Sequence, residues 1–244
     1  MLGITRHKIT KTRLIKIGGC KEKKMNFFNI ASNLFFPQTC AICDKICDEI
    51  ICNRCKIKLE YTIYPNRKCF LDRKGIFYDE HMHICKYNGI IKDRIRKYKF
   101  KDYAYLYKFF AQIIYTNKKI MQYIKKYDYI MPVPLHKYRY RERGYNQVYL
   151  ILKELSKLEK NIIIENNIIR KTENIKPQSI LNKAERKDNI KGVYEIISKE
   201  NKIEDKKILI FDDVFTTGST TNECSRILKE HKAKKVGILT IAKD

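Results

Sequence analysis

Apolar residues recur at three- and four-residue spacing around Ile91–Lys97 and Ala104–Tyr115, the period of two amphipathic helices. Beyond them, short apolar runs alternate with helical patterns, as expected of a parallel sheet with crossover helices. Asp128–Leu135 (DYIMPVPL) reads as a first strand ending at its prolines, Tyr145–Leu158 as the helix after it, and Asn161–Ile169 as a second strand. Lys207–Phe211 (KILIF) reads as a buried strand, Ser219–His231 as its helix, and Lys235–Ala242 (KVGILTIA) as the closing strand. The stretch Lys171–Lys191 is polar, contains Pro177 and is long for an ordinary connection, which makes it a candidate hood over an active site. The predicted class is α/β.

Before Tyr87 this patterning fails. Between Cys40 and Cys85 the chain is rich in cysteine and shows no sustained apolar period, so this segment needs a metal to hold a shape. Residues 1–24 are basic and lack an apolar centre, and read as an unstructured extension, with Met25 as an alternative start. The expected division is therefore 1–35 (extension and short helix), 36–86 (zinc-binding segment) and 87–244 (the α/β domain). A chain of 244 residues is long enough for one full core plus one small stapled module.

Charge narrows the partners. The chain carries 52 Lys+Arg against 27 Asp+Glu, a formal net charge of +25, which favours anions such as phosphate or nucleic acid. Heavy use of Lys, Ile, Asn and Tyr is also what AT-rich coding produces, so only part of this surplus reads as function. No stretch approaches the ~20 apolar residues that cross a bilayer. Nine cysteines without a secretory signal point to metal or catalytic use in a reducing cytoplasm.

The most specific chemistry lies in ILIFDDVFTTGST, Ile208 to Thr220. A strand delivers Asp212 and Asp213, and a hydroxyl-rich loop then opens a helix, the place where open α/β sheets bind ligands. Backbone N–H groups of Thr216–Thr220, with the hydroxyls of Thr217, Ser219 and Thr220, suit a phosphate, and Gly218 permits close backbone approach. The two carboxylates suit a ribose diol and a divalent cation. An Asp-Asp strand end also occurs as a helix cap or a phosphoacceptor, although neither needs the hydroxyl loop. The string resembles the phosphoribosyl-pyrophosphate motif of type I phosphoribosyltransferases, and implies that fold with Mg²⁺ as cofactor. At Thr216 the purine-salvage members of that fold carry an Asp, which argues against purine salvage here.

Two further strings extend the resemblance. VPLHKYRYRERGYNQ, Val133 to Gln147, gathers His136, Arg139, Arg141 and Arg143 ahead of Gly144, as a doubly charged leaving group requires; a solvated basic loop has the same composition. QSILNKAERKDNIKGVY, Gln178 to Tyr194, falls in the candidate hood, where Gln178, Arg186 and Asn189 either close over a ligand or fix the loop itself. The PLHxxRxxxRGYNQ pattern, the second string and the linker Tyr87-Asn88-Gly89 to Lys99-Phe100-Lys101 together resemble the ComF competence family from Phe36 to the C-terminus. The resemblance implies pyrophosphate contacts from Arg139, Arg143 and Asn146.

CAICDKICDEIICNRC places Cys40, Cys43, Cys52 and Cys55 as two CxxC knuckles, which suit tetrahedral Zn²⁺, although a lone CxxC also serves as a dithiol switch. Cys47 could enter that ligand set, and Cys69, Cys85, His81 and His83 are candidates for a second zinc. Tyr98, Phe100, Tyr103, Tyr105 and Tyr107 interleave with basic residues, a pattern that either stacks single-stranded bases or faces the core. The family's link to competence implies a cytosolic accessory of DNA uptake or processing that binds phosphoribosyl pyrophosphate and single-stranded DNA and works with a helicase-like ATPase. The alternative is a metabolic transferase that moves ribose 5-phosphate to an amine or base.

Overall fold

The structure, a computed structural model, describes residues 38–70, 73–100, 103–172, 192–197 and 202–244. Its centre is a five-stranded sheet in the order β1-β2-β7-β6-β3, formed by β1 (Asn66–Cys69), β2 (Glu80–Lys86), β3 (Tyr129–Pro132), β6 (Lys207–Phe215) and β7 (Lys235–Lys243). Strands β2, β7, β6 and β3 are mutually parallel, and β1 is an antiparallel edge. The apolar runs are unbroken because both faces are covered. Leu209, Phe211, Leu239 and Ile241 pack toward one face, against α2 (Gly89–Tyr98), α3 (Leu106–Thr116), α4 (Lys118–Ile124) and α6 (Gln147–Leu158). Ile208, Ile210, Val236 and Ile238 pack toward the other, against Cys224, Ile227 and Leu228 of α7 (Ser219–Glu230).

The α/β architecture agrees with the sequence reading, and four local features differ from it. Asn161–Ile169 is not a strand: Ile164 makes a single parallel bridge to Ile130, and pairing resumes only in β4 (Ile169–Lys171) against β5 (Tyr194–Ile196). Glu165, Asn166 and Asn167 interrupt the apolar run, and Glu165 turns outward to Lys202 at 2.8 Å. Strand β6 continues past Phe211 to Phe215, so Asp212 and Asp213 lie within it, Asp212 opposite Thr240 of β7. The basic string after β3 contains a short helix, α5 (Lys137–Arg143), capped by His136 and by Gly144 at φ 81°. The cysteine-rich segment supplies helix α1 (Asn53–Glu60) and both β1 and β2, and these strands join the main sheet.

Buried polar groups in β2 explain how that strand is held. The Glu80 side chain accepts hydrogen bonds from Tyr127 Oη at 2.6 Å and from Arg67 at 3.3 Å, and pairs with Lys235 at 2.7 Å. Burial works against the Glu80 charge, but the Lys235 and Tyr127 hydrogen bonds outweigh it and hold the carboxyl below its ordinary value. His81 bonds Thr240 Oγ1 at 2.9 Å and stacks on Phe215 with ring centroids 4.2 Å apart. Burial, followed by the charges of His83, Lys243 and Lys68, pushes His81 down to about 3, so it is a neutral packing element. Among the described residues the one cluster with metal-ligand spacing is Cys40, Cys43, Cys52 and Cys55. Cys85 instead donates to Ile241 O at 3.0 Å.

Candidate functional site

Strand β3 ends at Pro132 opposite Phe211, whereas β6 runs four residues further. The β3-facing edge of β6 is therefore open beyond Phe211, at the carboxyl ends of the parallel strands, and Asp212 and Asp213 sit there. The Asp213 carboxylate is buried. Its Oδ2 accepts from Gln147 Nε2 at 3.1 Å and lies 3.3 Å from Lys99 Nζ. The Gln147 side-chain Oε1 in turn accepts from Arg143, so Arg143, Gln147 and Asp213 form one chain of hydrogen bonds. Asp212 Oδ1 accepts from the Asp213 backbone N–H at 2.8 Å. Burial and the Asp213 charge push the Asp212 carboxyl up to about 8.

The loop after β6 turns on Gly218, which caps α7 at φ 72°. A side chain there would be doubly excluded: an added Cβ would lie 2.3 Å from Phe215 Cζ, and the backbone is left-handed. Thr217 Oγ1 and Ser219 Oγ are 2.8 Å apart, and both Thr216 and Thr217 are exposed. Ser219 N donates to Thr217 Oγ1 at 3.4 Å, so the hydroxyl pair stands at the N-terminus of α7, the place where a helix receives a phosphate. Thr220 follows in the first turn of α7.

The basic string divides. Arg143 is buried, and desolvation lowers its pKa while the Asp213 charge resists. Arg139 and Arg141 are exposed on α5 together with Tyr138 and Tyr140. His136 accepts from Tyr138 N at 3.2 Å through Nδ1, and its enclosed Nε2 has no hydrogen-bond partner. Asn146 is committed to structure: its Oδ1 caps α6 by accepting from Val148 N and Tyr149 N, and its Nδ2 donates to Val133 O at 3.1 Å. It ties the end of β3 to the start of α6. Gln178, Arg186 and Asn189 lie outside the described residues.

Lys99 and Gln147 are site residues that the sequence reading did not single out. Both stood inside quoted strings, but nothing local says that the linker helix ends against β6.

The four knuckle cysteines place their sulfurs within 4.8 Å of one another, with Cys43 and Cys52 Sγ 3.9 Å apart. A Zn–S bond of about 2.3 Å sets tetrahedral sulfurs about 3.8 Å apart, so the spacing fits. The first knuckle turns through Asp44 at φ 60° with Asp44 N donating to Cys40 O at 2.9 Å. Burial raises the Cys40 thiol, but N–H donors from Cys52, Cys43 and Ile42 outweigh it and bring it to about 6. Burial and the neighbouring sulfurs push Cys55 up to about 12. Four sulfurs this close resist ionising together without a dication, which is the demand that Zn²⁺ meets. Cys47 lies outside the set and donates to Glu49 O at 3.0 Å. For Mg²⁺, the adjacent Asp212 and Asp213 supply the hard oxygen donors that it prefers.

Of the five linker aromatics, Tyr98 is fully buried, Tyr103 and Tyr107 pack on the core, and Phe100 and Tyr105 are exposed.

Comparison with known proteins finds relatives across most of the chain. The phosphoribosyl transferase domain family matches residues 151–244, which include the acidic pair and the hydroxyl loop. Competence protein F of Haemophilus influenzae is 27% identical over 230 residues, 90% of this chain and 99% of that one. Competence protein ComFC of Streptococcus pneumoniae is 31% identical over 163 residues, 67% of this chain and 68% of its own. DNA utilization protein YhgH of Escherichia coli K12 is 22% identical over 204 residues, 82% of this chain and 87% of its own. With a phosphoribosyltransferase-type α/β domain, a Cys₄ knuckle and these relatives, the chain belongs to the ComF competence family.

Proposed function

We propose that the β6 crevice binds phosphoribosyl pyrophosphate or a related sugar phosphate together with Mg²⁺, and that the protein serves DNA uptake or processing in the cytoplasm. One observation carries the reading: two adjacent carboxylates are followed within one turn by a glycine-capped hydroxyl loop that opens helix α7. The loop amides and the hydroxyls of Thr217, Ser219 and Thr220 hold the sugar's phosphate, with Thr216 at the rim. Asp212 and Asp213 take the ribose hydroxyls and would hold the cation. Bound Mg²⁺ supplies charge neutralisation for the diphosphate. Arg139 and Arg143 serve the same diphosphate and Asn146 fixes the loop after Gly144, while Gln178, Arg186 and Asn189, outside the described residues, are assigned by resemblance either to the ligand or to fixing their own loop. In a transfer reaction these residues stabilise the departing pyrophosphate and orient the sugar, so catalysis is by position and electrostatics.

The DNA side rests on two observations. Relatives are named for competence and DNA utilisation. Exposed Tyr138 and Tyr140 alternate with Arg139 and Arg141, the mixture of stacking faces and cations that suits single-stranded DNA, and Phe100 of the linker is exposed as well. A helicase-like ATPase is the partner class this role implies. Among the described residues no helix is long and apolar enough to cross a membrane. The second reading, a metabolic transferase, uses the same crevice with an amine or base as acceptor.

The test is calorimetric titration of the full chain with phosphoribosyl pyrophosphate, with and without Mg²⁺, for wild type and Asp213→Asn, with single-stranded DNA in a parallel series. Saturable Mg²⁺-dependent binding that Asp213→Asn loses supports the reading. Retained Mg²⁺-dependent binding by a folded Asp213→Asn protein removes that residue from the cation site. DNA binding alone leaves a zinc-organised nucleic-acid module.

A further inference from the structure

Helix α2 delivers a cation into the crevice from outside the matched transferase residues. Lys99, the residue that caps α2, places Nζ 3.3 Å from Asp213 Oδ2, the same oxygen that accepts from Gln147. Its backbone is held on both sides. Tyr98 Oη donates to Gln147 O at 2.7 Å, and Tyr145 Oη donates to Tyr98 O at 2.6 Å and to Phe100 O at 3.1 Å. These two tyrosines clasp the 98–100 and 145–147 segments together in both directions, Tyr145 sharing its one proton between two carbonyls, so Lys99 is positioned independently of its own ion pair. The lysine side chain itself is 36% exposed, so the ammonium can leave the carboxylate without the backbone moving. Its partner carboxylate is only 9% exposed, so in the free protein the ammonium neutralises a buried charge from the solvent side.

We propose that Lys99 is a ligand-binding residue of the crevice, which neutralises Asp213 in the free protein and moves to the diphosphate of the bound ligand. This rests on the reading of the crevice as a Mg²⁺–diphosphate site. A divalent cation at Asp213 and an ammonium on the same oxygen repel each other. With a divalent cation held at Asp213, Lys99 would leave that oxygen and its ammonium would be free to pair with the ligand's diphosphate. The proposal gives the linker its own role in specificity: Lys99 favours a diphosphate-bearing sugar over the same sugar with its 5-phosphate alone.

The experiment is titration of the full chain with Mg²⁺ and phosphoribosyl pyrophosphate, and separately with ribose 5-phosphate, for wild type, Lys99→Met and Lys99→Arg. Lys99→Met is expected to lose about tenfold or more in affinity for the pyrophosphorylated sugar, as for a charge-assisted hydrogen bond, and nothing for ribose 5-phosphate. Lys99→Arg recovers most of the loss. Mn²⁺ alone is expected to bind Lys99→Met several-fold more tightly than wild type, because its competitor is gone. If wild type binds the pyrophosphorylated sugar and Lys99→Met binds it equally well, or loses both sugars alike, the crevice reading stands and this inference falls. An unchanged Mn²⁺ affinity overturns it as well. If wild type binds no pyrophosphorylated sugar, the crevice reading itself fails and takes this inference with it.

Discussion

Arg94 of α2 reaches Asp44, the residue directly after the first CxxC knuckle, with both terminal nitrogens, at 2.8 and 3.3 Å. Lys97 adds a third contact at 3.2 Å. The Arg94 guanidinium is nearly enclosed while Asp44 remains half in solvent, so the fork fixes geometry more than it adds energy. The knuckle turn is thus attached to the helix that ends at Lys99, five residues further along.

Arg94→Met should loosen that attachment without touching a sulfur. We expect faster zinc loss to a chelator and a stability loss of about 1 kcal/mol. Chelator-release kinetics and denaturant unfolding measure the two. Zinc release at the wild-type rate would show that the knuckle holds its shape without the helix.

Cys43→Ser separates coordination from packing. Cys43 is exposed, whereas Cys40 and Cys55 are buried, so replacing Cys43 opens no cavity. Bound zinc, measured by elemental analysis of the purified protein, should fall sharply. The loss should reach the 38–60 region first, because this segment makes few regular backbone pairs of its own besides the single Thr39–Ile46 bridge and α1. Unchanged zinc content would remove Cys43 from the ligand set.

What the sequence disclosed follows from the range of the interactions involved. The carboxylates, hydroxyl loop and knuckles are contiguous strings whose chemistry is local, and they were readable. KYRYRER gave no helix signal because α5 has no apolar period; its ends, His136 and Gly144, define it. EHMHICK was hidden for the opposite reason. β2 is buried on both faces, and its polar residues are satisfied by partners about 155 residues away, Lys235 and Thr240. Lys99 belongs with these, since its carboxylate lies on a strand that only the folded topology brings near. NIIIENNII misled because a short apolar run does not distinguish a paired strand from a loop that packs Ile162 and Ile164 on the core.

Gly218→Ala tests the loop. Its methyl group would collide with the Phe215 ring, which His81 backs at 4.2 Å and which cannot retreat toward β2. The left-handed backbone adds its own strain. We expect a stability loss of about 1–3 kcal/mol and a phosphate affinity reduced by about tenfold or more, read by thermal unfolding and by titration with ribose 5-phosphate. Normal affinity in the variant would mean that the phosphate does not sit on this turn.

Asp212 predicts how pH enters. In the unfolded chain its carboxyl titrates near 4 as an ordinary Asp, whereas in the folded protein burial and the Asp213 charge push it up to about 8. Between those values the folded protein holds a proton that the unfolded chain has released. Stability due to this group therefore falls as pH rises through that window, and the full penalty is present above it. Asp212→Asn keeps the shape and removes the titration. It should be more stable than wild type at pH 8.5 by about 2–5 kcal/mol, the upper end being the full shift and the lower end allowing for the partial exposure of Asp212, and indistinguishable from it near pH 4, measured by denaturant unfolding at both. Binding runs the other way, because a divalent cation prefers the ionised carboxylate. Mg²⁺-dependent affinity should rise between pH 6 and 8 with release of a proton, detectable by calorimetry in buffers of different ionisation enthalpy. A flat profile on both counts would mean that Asp212 is already ionised in the free protein.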